Sequence, residues 1–194
     1  MVSGPSGVGK DTVLNRVFEL DPRLRYSISY TTRPPRPGEV DGTSYSFVDE
    51  PTFAVMVAEG EFLETAVVHG NRYGTSRRRV FDALQRGEDI VLKIDVQGAR
   101  QLRDRVQDAL FIFLLPPSEE ELQARLRARG TDDPDAVARR AADARRELAE
   151  AERYDHRVVN DDVERAARKI VKLVADTRGG NGPRGGGPNG DGDG

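Results

Sequence analysis

Along the chain, short apolar runs alternate with stretches whose apolar positions recur every three or four residues. Ile90–Asp95 and Phe111–Leu115 are β-prone runs almost without polar breaks, as in strands buried on both faces of a parallel sheet. Val158–Asn160 is a shorter candidate of the same kind. Helical periodicity covers Thr12–Leu20, Arg77–Arg86, Glu119–Arg129, about Ala136–Arg153, and Val163–Asp176. Ser118 followed by Glu121 forms a capping box for the third of these, and Gly130 and Pro134 break the chain after it. Strand–helix alternation predicts an α/β fold with a parallel sheet flanked by helices.

The stretch from Ser29 onward has a different rhythm. Tyr45–Val48 and Phe62–Val68 alternate like half-exposed strands, with a short helix near Thr52–Glu59 between them. This predicts a small strand-rich insertion, about residues 29–76, on a core of about 1–28 and 77–177. Arg178–Gly194 contains only Arg, Gly, Asn, Pro and Asp; it cannot bury apolar surface and reads as a tail without a fold of its own.

Composition narrows the classes. The chain has 194 residues, 37% hydrophobic and 32% charged, enough for one core of ordinary size. Its net charge of -3 lacks the basic balance of a duplex-binding protein, so a nucleic-acid partner is not expected. Nearly all of its 30 basic residues are arginines, whose planar fork suits phosphate. The absence of Cys excludes disulfides and thiolate metal sites. No apolar run approaches the length of a membrane span, and no signal-peptide pattern opens the chain. A soluble cytoplasmic protein, monomeric or a small homo-oligomer, is the resulting expectation.

Gly4-Pro5-Ser6-Gly7-Val8-Gly9-Lys10 matches the phosphate-loop pattern G-x-x-x-x-G-K. The glycines let backbone N–H groups curl around phosphate oxygens. The helix beginning near Asp11 aims its positive end at the same charge, and Lys10 reaches the β- and γ-phosphates. The pattern asks next for Ser or Thr to ligate Mg²⁺; here Asp11 stands there and Thr12 follows one position too far along. Only Met1, Val2 and Ser3 precede Gly4, so a shortened strand is expected in the sheet interior.

The insertion carries a second anion site. Ser29-Tyr30-Thr31-Thr32-Arg33-Pro34-Pro35-Arg36-Pro37-Gly38-Glu39 is stiffened by prolines and presents two arginines three apart, the fixed forks a phosphate monoester needs. Tyr45 and Tyr73 add phenolic donors. His69 and His156 read as structural or surface residues, and no covalent nucleophile is evident.

From Val2 to about Val174 the chain resembles the guanylate kinases. The resemblance rests on the phosphate loop, the Thr31–Glu39 segment, Asn71-Arg72-Tyr73-Gly74-Thr75-Ser76 read as a turn, Ile94-Asp95-Val96-Gln97-Gly98, Leu115-Pro116-Pro117-Ser118, Arg127-Ala128-Arg129-Gly130-Thr131 and Val159-Asn160-Asp161-Asp162. It implies a P-loop NTPase core, a GMP-binding insertion, a helical lid at about 125–145, and transfer of the γ-phosphate of ATP to GMP, with dGMP as a further acceptor. Ser29, Arg33, Arg36, Tyr45 and Tyr73 would hold the GMP phosphate. Glu64, Thr75 and Asp95 would surround the guanine, where a carboxylate accepts from N1–H and N2–H₂ that adenine does not offer. Gly4 to Thr12, with Arg125 and Asn160, would bind ATP. Lys10, Arg129 and Arg140 would carry the transition-state charge.

The family usually has an acid two positions before Asp95, where this chain has Lys93. Lys93 and Asp11 are therefore expected to face each other as an ion pair with charges exchanged, Asp11 reaching Mg²⁺ directly or through water. A competing reading is a guanylate-kinase-like domain, impaired in catalysis, that binds a phosphorylated ligand.

Overall fold

A computed structural model describes residues 1–106, 108–128 and 142–179. Its nine strands among those residues are β1 (Val2–Ser3), β2 (Leu24–Tyr26), β3 (Tyr30–Thr31), β4 (Ser46–Phe47), β5 (Phe62–Val68), β6 (Asn71–Ser76), β7 (Asp89–Val91), β8 (Ile112–Leu115) and β9 (His156–Val159). The helices are α1 (Lys10–Leu20), α2 (Glu50–Ala58), α3 (Arg77–Gln85), α4 (Val96–Arg103), α5 (Glu119–Ala128), α6 (142–148, tightening into a 3₁₀ turn at Ala149–Arg153) and α7 (Val163–Arg178).

The core sheet is parallel throughout. β1 pairs with β8, β8 with β9, and β2 with β7. A parallel bridge, Val2 to Lys93, joins the two parts, with Val2 N–H donating to the Leu92 carbonyl and Ile94 N–H to the Val2 carbonyl. The two-residue β1 thus lies inside the sheet, bonded on both sides, as expected for the strand that feeds a phosphate loop. Strand β8 shows why helices cover both faces. Ile112 and Leu114 point into one cluster with Val13, Leu14, Val17, Val158 and Ile170 of α1, β9 and α7. Phe111 and Phe113 point the other way, into Leu92, Ile94, Ala99, Leu102 and Tyr154. Burial on both faces explains the uninterrupted apolar run.

A second sheet, ordered β4-β3-β6-β5, is built from the insertion. Here β5 and β6 run antiparallel, and alternate residues Phe62, Glu64 and Ala66 are buried. The α/β architecture and the strand-rich insertion agree with the sequence. Three differences have local causes. Asn71–Ser76 is a strand and not a turn, because it pairs along the length of β5 while Gly70 and His69 make the reversal. α4 carries no long apolar stripe; it buries Val96, Gly98, Ala99 and Leu102, half of them small. Arg178, assigned by composition to the tail, ends α7 and donates to Asp21 and Asp89. Of the capping box, the Ser118 hydroxyl accepting from Glu121 N–H is present.

Candidate active site

The phosphate loop runs from β1 into α1 beneath α5 and β9. Gly7 and Gly9 have φ of 84° and 94°, the left-handed region that glycine enters without strain. A side chain at Gly9 would also meet the Asn160 amide at 2.7 Å. Gly9 is the N-cap of α1, and no side chain caps that end, leaving its N–H groups directed at whatever binds the loop. The Lys10 ammonium folds over the loop and donates to the carbonyls of Gly4 and Pro5 at 2.5 and 3.1 Å. Burial pushes its pKa down, opposed by Glu147 and Asp11.

Beside the loop lies a pocket of about 340 Å³ lined by Gly7, Gly9, Thr12, Arg125, Asn160, Asp161 and Val163. Buried Asn160 donates from its carboxamide to the Val8 carbonyl at 2.8 Å, and Arg125 donates to the same carbonyl at 3.2 Å. Both expected nucleotide residues therefore brace the loop. Arg129 and Arg140 lie outside the described residues.

The expected charge-exchanged pair is present. Lys93 donates to Asp11 at 2.5 Å. Burial opposes the Lys93 charge, yet Tyr26, Tyr45 and Asp11 together raise its pKa. Asp11 itself is largely exposed on the first turn of α1. Among the described residues no group of three possible ligands gathers around a metal position. One accessible carboxylate suits a magnesium ion held chiefly by nucleotide phosphates and water.

Of the residues expected on the acceptor side, Arg33, Tyr45 and Tyr73 come together at the second sheet. Arg33 is almost fully buried and its fork is engaged: to Glu39 at 2.8 and 2.9 Å, to the Pro34 carbonyl at 2.6 Å, and to the Tyr73 hydroxyl at 3.3 Å. Its guanidinium lies 5.5 Å from the Tyr45 ring, which meets the Tyr73 ring edge-on. Ser29, buried, leads into β3 and accepts from Ser46 N–H. Arg36 has an exposed side chain, and its backbone N–H donates to Glu39.

Glu64 and Thr75 are cross-strand partners, both buried, with the Thr75 hydroxyl donating to the Glu64 carboxylate at 2.5 Å. Burial pushes the Glu64 pKa up to about 7; the Thr75 hydrogen bond opposes this and nearby Asp95 adds to it. Asp95 caps α4, accepting from Gly98 N–H at 2.9 Å and from the Gln97 amide at 2.8 Å. Burial raises its pKa as well.

Two residues went unrecognised in the sequence. Gly98 leaves room for the Glu64 carboxylate: a Cβ there would overlap its oxygen. Glu147, on α6, accepts from the Ser6 N–H of the phosphate loop at 3.1 Å. Gly98 lies in the Ile94–Gly98 segment with no side chain to signal a role, and Glu147 resembles any acid on a helix face.

A glycine loop with a half-buried lysine, running from an interior strand of a parallel sheet into a helix, defines a P-loop fold. The guanylate kinase family model matches residues 1–177. A guanylate kinase of Alkalilimnicola ehrlichii is 50% identical over 178 residues, 92% of this chain and 88% of that protein. One from Gloeobacter violaceus is 51% identical over 174 residues, 90% and 85% of the two chains. The crystal structure of guanylate kinase from Anaplasma phagocytophilum superposes with a TM-score of 0.76 at 34% identity, covering 90% of this chain and 82% of that one. The chain belongs to the guanylate kinase family.

Proposed function

We propose that the protein transfers the γ-phosphate of ATP to GMP, giving ADP and GDP, and that the residues above divide this work between a donor and an acceptor side. The observation that carries the proposal is the buried Glu64–Thr75 pair joining β5 to β6, with the Arg33–Tyr45–Tyr73 cluster meeting β6 at Tyr73. A carboxylate there takes both guanine donors, and the arginine and phenols take the acceptor phosphate.

On the donor side, backbone N–H groups from Gly4 to Thr12 and the Lys10 ammonium would hold the ATP phosphates, with Arg125 and Asn160 shaping the nucleotide pocket. On the acceptor side, Ser29, Arg33, Arg36, Tyr45 and Tyr73 would fix the GMP phosphate so that its oxygen attacks the γ-phosphorus in line with the leaving ADP oxygen. Glu64, Thr75 and Asp95 would orient the base. Glu39 now occupies the Arg33 fork, so the GMP phosphate would take over part of that engagement. Arg129 and Arg140, from a lid at about 125–145, would meet the transferring group. Asp11 would hold magnesium, directly or through water, and the ion would supply positive charge to the ATP phosphates. We extend the proposal to dGMP, since no group assigned above reads a ribose hydroxyl. Among the described residues no helix is long and apolar enough to cross a membrane. A cytoplasmic monomer or small homo-oligomer, without nucleic acid, completes the reading.

A coupled assay for ADP at saturating Mg-ATP tests this. GMP-dependent turnover is expected. Tight GMP binding with no turnover would point instead to an impaired domain that binds a phosphorylated ligand.

A further inference from the structure

Lys93 touches residues of both proposed substrate sides, and its ammonium also lies 5.6 Å from the centre of the Tyr26 ring. On the donor side its ammonium donates to Asp11, one residue past the phosphate-loop lysine, at 2.5 Å. On the acceptor side it lies 4.9 Å from the centre of the Tyr45 ring, the ring that also carries the Arg33 guanidinium at 5.5 Å. Its backbone is fixed in the central sheet by the bridge to Val2. The Lys93 side chain is 12% exposed whereas that of Asp11 is 72% exposed. A solvated carboxylate does not require a buried cation beside it, and withdrawing an ammonium from water is costly. The position has an electrostatic use: the phosphates of donor and acceptor are both anionic and must approach each other for transfer.

We propose that Lys93 screens the repulsion between the two bound phosphate groups, its ammonium standing between the phosphate loop and the acceptor pocket. The inference rests on the reading that Lys10 holds the donor phosphates and Arg33 with Tyr45 the acceptor phosphate. A positive side chain here makes the two nucleotides bind jointly better than they would around a neutral residue. Lys93 is thus a positioning residue for the pair of substrates, and its effect shows only when both are present.

The test is calorimetric. GMP affinity is measured alone and with a saturating, non-hydrolysable ATP analogue, in the natural chain and in K93M, K93Q and K93R. In K93M, GMP binding in the presence of the analogue should weaken about tenfold more than GMP binding alone. K93Q carries the same expectation should K93M fold poorly. K93R, which keeps a cation in place, should retain the natural ratio. Equal weakening of GMP with and without the analogue, or a K93R protein that behaves like K93M, would show that Lys93 acts only by supporting Tyr45 and would overturn the proposal. Failure of the natural chain to bind GMP would instead overturn the acceptor assignment on which it stands.

Discussion

On the proposed donor side the groups offered to a phosphate belong mostly to the backbone; on the proposed acceptor side they are side chains. Gly7 and Gly9 shape the loop, and the end of α1 is left without a side-chain cap. The cradle does not draw on the Asp11 side chain, which pairs with Lys93. The proposed acceptor side is built differently: Arg33, Tyr45, Tyr73, Glu64 and Thr75 make four side-chain contacts among themselves. Both sides nonetheless share one feature: a carboxylate of the chain sits on a proposed phosphate-binding group, Glu147 on the Ser6 N–H and Glu39 on Arg33. Both groups are thus already turned toward negative charge.

The sharpest way to break this contrast is at Lys10, the cationic side chain of the loop itself. Lys10→Met should lower kcat/KM about 10³-fold, because the ammonium faces charge that develops in transfer. A loss under tenfold would mean the backbone cradle suffices alone. Next is Arg33→Ala, expected to lower kcat/KM for GMP roughly 10²-fold, with KM for ATP nearly unchanged. An equal rise in both KM values would show that the two sides are not separable.

Glu64 offers a test through pH. Its carboxyl is raised to about 7 from an ordinary 4.5, so the folded protein without ligand binds more protons than the unfolded chain between these values. The stability linked to this group is complete below pH 4.5 and is lost as pH rises to about 7. Guanine needs the ionised form, so GMP affinity should rise with pH up to about 7, by up to about tenfold per unit. Titration calorimetry from pH 5.5 to 8 reads this directly. Glu64→Gln should leave only the slope from ionisation of the GMP phosphate itself; an unchanged slope would remove Glu64 from the base site. The smallest expected effect is at Gly98. Gly98→Ala displaces the Glu64 carboxylate and should raise KM for GMP roughly tenfold while sparing KM for ATP. A variant kinetically identical to the natural chain would mean the pocket relaxes freely.

The contrast between the two sides also governs what could be read from the sequence. Residues with a strong chemistry of their own were legible: the loop glycines and Lys10, Arg33 with the Tyr45 and Tyr73 that gather round it, and the matched departures at Asp11 and Lys93, which the structure brings together. Strand β8 and helices α1 and α7 were legible because burial imposes a regular pattern on them. α4 was not, since it packs through Gly98 and Ala99 rather than an apolar stripe. β6 was not, because its Asn, Gly and Ser content suggests a turn while its pairing to β5 makes it a strand. Gly98 acts by the atoms it lacks, and Glu147 by a contact across 141 residues of sequence. Neither leaves a local signal.

The central claim is transfer of phosphate to a guanine nucleotide, and base selectivity tests it most directly. Initial rates with GMP, dGMP, AMP, CMP and UMP, measured side by side at saturating Mg-ATP, give kcat/KM for each. The account predicts turnover with GMP and dGMP and at least about 10³-fold lower values with the other three, because a base that leaves the Glu64 carboxylate unpaired pays its full desolvation. Comparable kcat/KM for GMP and AMP would contradict it.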